Sequence, residues 1–331
     1  MNEKRWTAEQ ANEWYRRQPW LVGCNFTPST AINQLEMWQA DTFDLPTIAR
    51  ELTWAASLGF NTVRVYLHDL LWDADRDGFR ERIACYLNEA AQHGIRTLFV
   101  LFDDCWNKTF AIGPQPQPVP GVHNSGWVQS PGKKVVLDPA AWGRLESYVK
   151  GVLAAFAADD RVLGWDLYNE PGNSDLREKS LPLLRKAFEW GREVAPRQPL
   201  TSGVWSDVEA VRRFQIVASD LITFHDYENA EHLVQQIRAL RRYGRPLLCT
   251  EYMARTRGSL FLTHLPIFKA EGVGCLNWGL VSGKTQTIYP WGSPEGAGEP
   301  PVWFHDIFRA DGRPYDAAEA ALIRSMTGTG A

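Results

Sequence analysis

Two glutamates stand out among the residues that could do chemistry, because each directly ends a strongly apolar run. Val162-Leu163-Gly164-Trp165-Asp166-Leu167-Tyr168 leads into Asn169-Glu170-Pro171, and Pro246-Leu247-Leu248-Cys249-Thr250 leads into Glu251-Tyr252. A facing pair of carboxyl groups suits the hydrolysis of a glycosidic bond. One carboxylic acid protonates the leaving oxygen, while the other attacks the anomeric carbon or activates water. A separation of roughly 5–5.5 Å goes with retention of configuration, and about 6.5–9.5 Å leaves room for an inverting water. Arg64, near the end of another apolar run, is placed to hold one glutamate ionised and oriented. The partner, Glu170, would need a raised pKa to act as an acid near neutrality.

Such a pair meets only if the chain brings the ends of distant strands together. Eight short apolar runs read as strands: 20–26, 62–67, 97–102, 162–168, 200–205, 221–224, 246–250 and 274–278. Near-continuous apolar runs of this kind are expected of parallel strands covered on both faces. Amphipathic stretches alternate with them at 45–58, 81–93, 140–157, 176–194, 230–243 and 260–270. Gly59, Gly94 and Gly244 fall just past three of these stretches, where a helix C-terminus favours glycine. Eight strand–helix units over this length predict a single (β/α)8 TIM barrel spanning residues 1–331. Thr7-Ala8-Glu9-Gln10 has the spacing of a capping box and predicts a short helix over 8–17 before the first strand. Two connections are long, from Asp103 to Asp138 after strand 3 and from Val281 to Val302 after strand 8. Both leave the face where barrel active sites are built, and loops this long tend to be functional.

The strand ends on that face carry Asn25, Arg64, Asp103, Asp104, Asn169, Glu170, Trp205, His225, Tyr227, Glu251, Tyr252, Asn277 and Trp278. His68 lies one turn beyond Arg64 and is either a pocket residue or a structural one. Fifteen tryptophans are a heavy load for 331 residues, and Trp38, Trp72, Trp106, Trp127, Trp205, Trp278, Trp291 and Trp303 fall in expected loops or at strand ends. Flat apolar rings in such places suit the C–H faces of sugars.

On these residues the chain resembles the retaining β-glycosidases with (β/α)8 barrels, and within them the family 5 cellulase and mannanase type. Asn169-Glu170-Pro171 after strand 4, a lone Glu251 after strand 7 and His225-Asp226-Tyr227 at strand 6 carry the resemblance. It implies Glu170 as acid/base, Glu251 as nucleophile and Arg64 as the arginine that orients that nucleophile. It further implies that Asn169 binds the sugar 2-hydroxyl, that His225 and Tyr227 support the pair, and that Trp278 forms a platform under the sugar. The chain departs from the family at strand 3. Where many members carry a histidine it reads Phe102-Asp103-Asp104-Cys105-Trp106, and the acidic pair is expected to bind hydroxyls of a terminal sugar.

Other chemistries are weaker. A net charge of -4 steers towards neither nucleic acid nor an anionic membrane. No apolar run reaches the roughly 18 residues of a membrane span. The stretch from Met1 to Trp6 has no apolar leader, which predicts a cytoplasmic protein. Cys24, Cys85, Cys105, Cys249 and Cys275 form no C-x-x-C pair, and Cys24, Cys249 and Cys275 read as buried reduced thiols. A metal site at His225 would want clustered ligands, usually an H-x-H early in the barrel, where the chain has Gly23-Cys24-Asn25-Phe26. No nucleotide fingerprint appears, so neither metal nor cofactor is expected. The expected partner is a β-linked oligosaccharide or glycoconjugate, and oligomeric state is not legible. A transglycosylase and a glycan-binding barrel without catalysis remain as alternatives.

Overall fold

The computed structural model describes residues 5–329. The stretch read for a leader lies partly outside them, at residues 1–4. Eight parallel strands form one sheet: β1 (Val22–Asn25), β2 (Thr62–Tyr66), β3 (Arg96–Asp103), β4 (Val162–Asn169), β5 (Leu200–Thr201), β6 (Ile222–His225), β7 (Leu247–Tyr252) and β8 (Gly274–Asn277). Their order is β5-β4-β3-β2-β1-β8-β7-β6, and a parallel bridge from Val204 to Phe224 joins the two ends. The sheet is therefore a closed barrel, as the alternation of runs and helices required.

Both faces of the strands are covered, which is why the sequence reads as apolar runs rather than alternation. Every residue of β4 is buried, including Asp166. The outer faces pack under helices such as Leu45–Ser57, Arg76–Gln92, Trp142–Phe156 and Leu181–Val194. Inside, Leu21, Leu98, Leu163, Leu221, Leu248 and Leu276 form an apolar floor at the N-terminal end of the barrel. The helix Ala8–Arg16 closes that floor with Trp14 and Tyr15, and its Thr7/Gln10 capping box forms as read. A dry floor leaves the polar inward residues to gather at the opposite end. Gly23 lets β1 and β2 pass closely, since a Cβ there would come within 1.6 Å of the Thr62 carbonyl oxygen.

Several elements differ from the sequence reading. The run at 200–205 makes only a two-residue strand, Leu200–Thr201, followed by a single bridge from Val204 to Phe224. Helices Glu209–Ala218 and Ala317–Thr327 were not foreseen, and short helices Gln34–Trp38 and Asp69–Ala74 occupy expected loops. These helices place Trp38 and Trp72 in the core, and Trp127 and Trp303 are buried as well. Trp38, Trp72 and Trp303 therefore pack the interior, while Trp127, though buried, also lines the cavity at the strand ends. Among the described residues no helix is long and apolar enough to cross a membrane.

Candidate active site

The C-terminal ends of the strands surround a cavity of about 660 Å3. Glu170 and Glu251 face each other across it, with His225 between them. One atom from each of these three groups lies within 4.8 Å of the other two.

Glu251 is held on both oxygens. Its Oε1 accepts from Arg64 Nη1 at 2.7 Å and from the Tyr66 hydroxyl at 3.0 Å, and its Oε2 accepts from the Tyr227 hydroxyl at 2.9 Å. Arg64 is fully buried and spends its donors on a fixed set. Besides Glu251 it reaches Asp166 Oδ2 at 2.7 and 3.1 Å, Asn169 Oδ1 at 2.7 Å and Asn25 Oδ1 at 2.9 Å. A planar guanidinium locked in this way fixes the carboxylate that it touches. Asp166 balances a charge with no access to water. Asp166→Ala is expected to lower stability by about 3–5 kcal/mol, the cost of breaking a buried ion pair from one side, as read by chemical denaturation.

Glu170 follows β4 with a φ of +42°, in the left-handed region that non-glycine residues rarely adopt. Its Oε1 lies 2.9 Å from His225 Nδ1, and its Oε2 accepts from Asn173 Nδ2 at 2.7 Å and from the Cys105 thiol at 3.2 Å. His225 Nδ1 is also 3.4 Å from Glu251 Oε2, so the imidazole bridges the pair. Gly203 gives that ring its room, since a Cβ there would meet His225 Nε2 at 3.0 Å.

The expectation of a raised pKa at Glu170 is corrected here. Burial alone would push its carboxyl up, but the bond and charge from His225, with Cys105 and Asn173, outweigh it. In the ligand-free cleft Glu170 sits below its ordinary value. Removing the imidazole leaves burial dominant, so the pKa must rise. His225→Phe is expected to shift the alkaline limb of kcat/KM to higher pH in residual turnover. An unmoved limb would contradict this account of the coupling.

The other expected site residues divide. Asp103, Trp106, Asn169, Trp205, Tyr227 and Trp278 line the cavity. Asp103 accepts from Trp127 Nε1 at 2.8 Å and from Asn169 Nδ2 at 3.0 Å. With Arg64 on Oδ1 and Asp103 on Nδ2, the Asn169 amide has one orientation. Trp278 packs edge-on against Tyr66 and Trp127 beside the cleft. Asp104 does not join Asp103 there. It is buried and accepts from the Tyr168 hydroxyl at 2.6 Å, the Gly172 N–H at 2.8 Å and the Ser180 hydroxyl at 2.5 Å, anchoring the loop that carries Glu170. His68 is also buried away from the cavity. It caps the helix Asp69–Ala74 through Leu70 N–H, and its Nε2 lies 3.0 Å from the Gln129 carbonyl. The strand-end rule fails for Asp104 because a residue next to an inward one points outward, and for His68 because β2 has already ended at Tyr66 and the chain has turned into the helix that His68 caps.

Residues that the sequence reading left outside the site include Asp166, Tyr66, Cys105 and Asn173. Tyr66 and Asp166 carried a signal: each lies in an apolar strand, and Tyr66 is two residues from Arg64, hence on the same face. Cys105 and Asn173 sit in irregular loops and carried none.

Glu170, His225 and Glu251 are also spaced as a cation site would be. Arg64 already applies a fixed positive charge to Glu251 at 2.7 Å, and hydroxyls of Tyr66 and Tyr227 donate to the same carboxylate. Both oxygens of this carboxylate are thus already supplied with a cation or hydroxyl donors, which leaves a metal ion little to add.

No family model matches the chain, and no curated protein matches it in sequence. Solved structures do match. A GH5_18 protein from Streptomyces cattleya in complex with Manb1-4GlcNAc has a TM-score of 0.63 at 16% identity, over 93% of this chain and 80% of that one. An exo-beta-1,4-mannosidase from Opitutaceae bacterium strain TAV5 has a TM-score of 0.64 at 18% identity, over 100% of this chain and 62% of that one. An endo-1,4-beta-D-mannanase from Thermotoga petrophila RKU-1 has a TM-score of 0.59 at 14% identity, over 93% and 99% of the two chains. At these identities the likeness is one of fold: the chain has the (β/α)8 barrel architecture that these proteins share.

Proposed function

We propose that the chain is a retaining glycoside hydrolase that removes sugars from the end of β-linked manno- or gluco-oligosaccharides. The observation that carries this reading is the carboxylate pair on β4 and β7, with oxygens within 4.8 Å of each other. Oxygens this close support direct attack by one carboxylate over the wider spacing that an inverting water needs. The likeness to a mannosidase and a mannanase of the same fold supports the substrate class.

Glu251, held in place by Arg64 and by the Tyr66 and Tyr227 hydroxyls, attacks the anomeric carbon as the C–O bond to the leaving group breaks. Glu170 passes its proton to the departing oxygen. A water then enters, gives its proton back to Glu170 and adds to the anomeric carbon, and Glu251 leaves with the bonding electrons. His225 couples the two steps. A substrate filling the cleft displaces water and strengthens the burial that favours protonated Glu170. Loss of the charge on Glu251 in the covalent intermediate then favours the ionised form, as the base step needs.

Action from a chain end is supported by the loops. The segments after β3 and β8 are bound to each other across the mouth. Asn124 N–H donates to Thr285 O at 2.9 Å, Gln286 Nε2 to Val119 O at 2.7 Å, and Gly296 N–H to Pro120 O at 2.8 Å. This wall stands over the β8-β1-β2-β3 side, where it would stop a long chain from lying across the barrel. The test is a screen of p-nitrophenyl β-glycosides and β-1,4-linked oligosaccharides. Single sugars released as the β-anomer, followed by NMR, are expected. Internal cleavage of a polymer would refute the end-acting mode, an α-anomer the retaining one, and silence on every substrate the hydrolase itself.

A further inference from the structure

Two loops place polar groups in the cleft that the carboxylate pair does not use. His123 and Asn124 come from the loop after β3, and His305 from the segment after β8; all three are buried and line the cavity. Their hydrogen-bonding state is set by their far sides. His305 Nδ1 lies 2.5 Å from Met253 O and His123 Nδ1 lies 2.7 Å from Tyr289 O. A carbonyl oxygen only accepts, so each Nδ1 carries the proton and each Nε2 offers a lone pair. Burial holds both imidazoles neutral, with His123 brought down to about 4 and His305 well below its ordinary value. His305 Nε2 and the Asn124 amide oxygen make no hydrogen bond within the protein. A buried acceptor without a donor is costly, so acceptors gathered on a cavity wall mark where a ligand's donors belong.

Two tryptophans flank this set. Trp106 and Trp291 are each 41% exposed. Trp106 stacks on His123 with centroids 5.4 Å apart, and Trp291 meets the same ring edge-on at 6.4 Å. Trp106 holds a φ of +70°, a conformation that a bulky residue keeps only where its surroundings impose it. The niche adjoins the catalytic pair through Tyr227, whose ring lies 5.6 Å from that of His305 and whose hydroxyl donates to Glu251.

We propose that His123, Asn124 and His305, between Trp106 and Trp291, form a sugar-binding niche that accepts hydrogen bonds from the hydroxyls of a neutral sugar. The aromatic faces cover the C–H surface while the three acceptors take hydroxyl protons. This rests on the glycosidase reading only in taking a sugar as the ligand, and binding tests it apart from catalysis.

The experiment is calorimetric titration of the full chain with thio-linked β-1,4-mannobiose and its gluco counterpart, disaccharides that resist hydrolysis. His305→Asn keeps a donor at the Nδ1 position towards Met253 O and loses the distal acceptor, while His305→Gln keeps an acceptor at the Nε2 position. The expected result is a Kd at least about tenfold weaker for His305→Asn, with His305→Gln within about threefold of the unmodified protein. Equal affinity in all three proteins, or no binding of either disaccharide to folded protein, overturns the niche. Should His305→Asn fail to fold by thermal melting, His123→Asn makes the same comparison against Tyr289 O. Turnover of p-nitrophenyl β-mannoside and β-glucoside is measured alongside. Turnover with an unchanged Kd in His305→Asn removes the niche and leaves the hydrolase. Binding weakened by His305→Asn in a protein that turns over neither substrate removes the hydrolase and leaves the niche.

Discussion

Glu251→Gln is expected to lower kcat by at least about 10^4-fold, the scale on which losing a covalent nucleophile is felt, while the protein keeps its fold and its affinity for substrate. The amide is nearly the same size and can still meet the Tyr227 and Tyr66 hydroxyls at 2.9 and 3.0 Å. What it lacks is the charge. Arg64, fully buried and 2.7 Å from Glu251 Oε1, then has Asp166 as its one remaining anionic partner in this set. A neutral amide is also a poor nucleophile towards an anomeric carbon. The measurement is single-turnover kinetics beside calorimetric binding of an unreactive disaccharide. Activity within about tenfold of the unmodified protein would mean that Glu251 is not the nucleophile and that the Arg64 network serves only the barrel. Trapping with a 2-fluoro glycoside gives a second check, since mass should accumulate on Glu251 and on no other residue.

What the sequence made legible follows from how this barrel is built. Parallel strands buried on both faces announce themselves as apolar runs, so seven of the eight strands were placed within two residues. Glu170 and Glu251 were visible because each breaks such a run at its C-terminal end. Two kinds of information were missing. One is the side to which a strand-end residue turns: Asp103 and Asp104 are neighbours, yet one lines the cleft and the other anchors the 170–180 loop. The other is what the long loops do once folded. Nothing in the proline-rich stretch from Pro114 to Pro120 tells that it binds the segment after β8. His123 and His305 meet only through that pairing, 182 positions apart in the chain and 5.4 Å apart between ring centroids. The pKa of Glu170 was missed for a related reason. Burial can be guessed from an apolar run, but the groups that together outweigh it, the imidazole from β6 with Cys105 and Asn173, come from outside that run.

Glu170→Ala should separate the acid from the base. Protonation matters in proportion to how badly the leaving group needs it. For natural oligosaccharides, whose leaving alkoxide is strongly basic, the loss is expected to be about 10^2- to 10^4-fold in kcat/KM, the usual worth of general acid catalysis. For a dinitrophenyl glycoside, which departs without a proton, formation of the covalent intermediate should be nearly unaffected. Its breakdown still needs a base, so the intermediate should accumulate and give a burst of phenolate followed by a slow steady state. Azide should speed that second phase, because a small anion needs no deprotonation and the missing side chain leaves room beside Asn173 and Cys105, the groups that held Glu170 Oε2. The sugar azide should carry the β configuration. Equal losses on activated and natural substrates would mean that the group removed positions the substrate instead of moving a proton. The pH profile decides the same question independently. The limb that His225→Phe shifts should be absent from kcat/KM for activated substrates in Glu170→Ala, since the group that titrates there has gone.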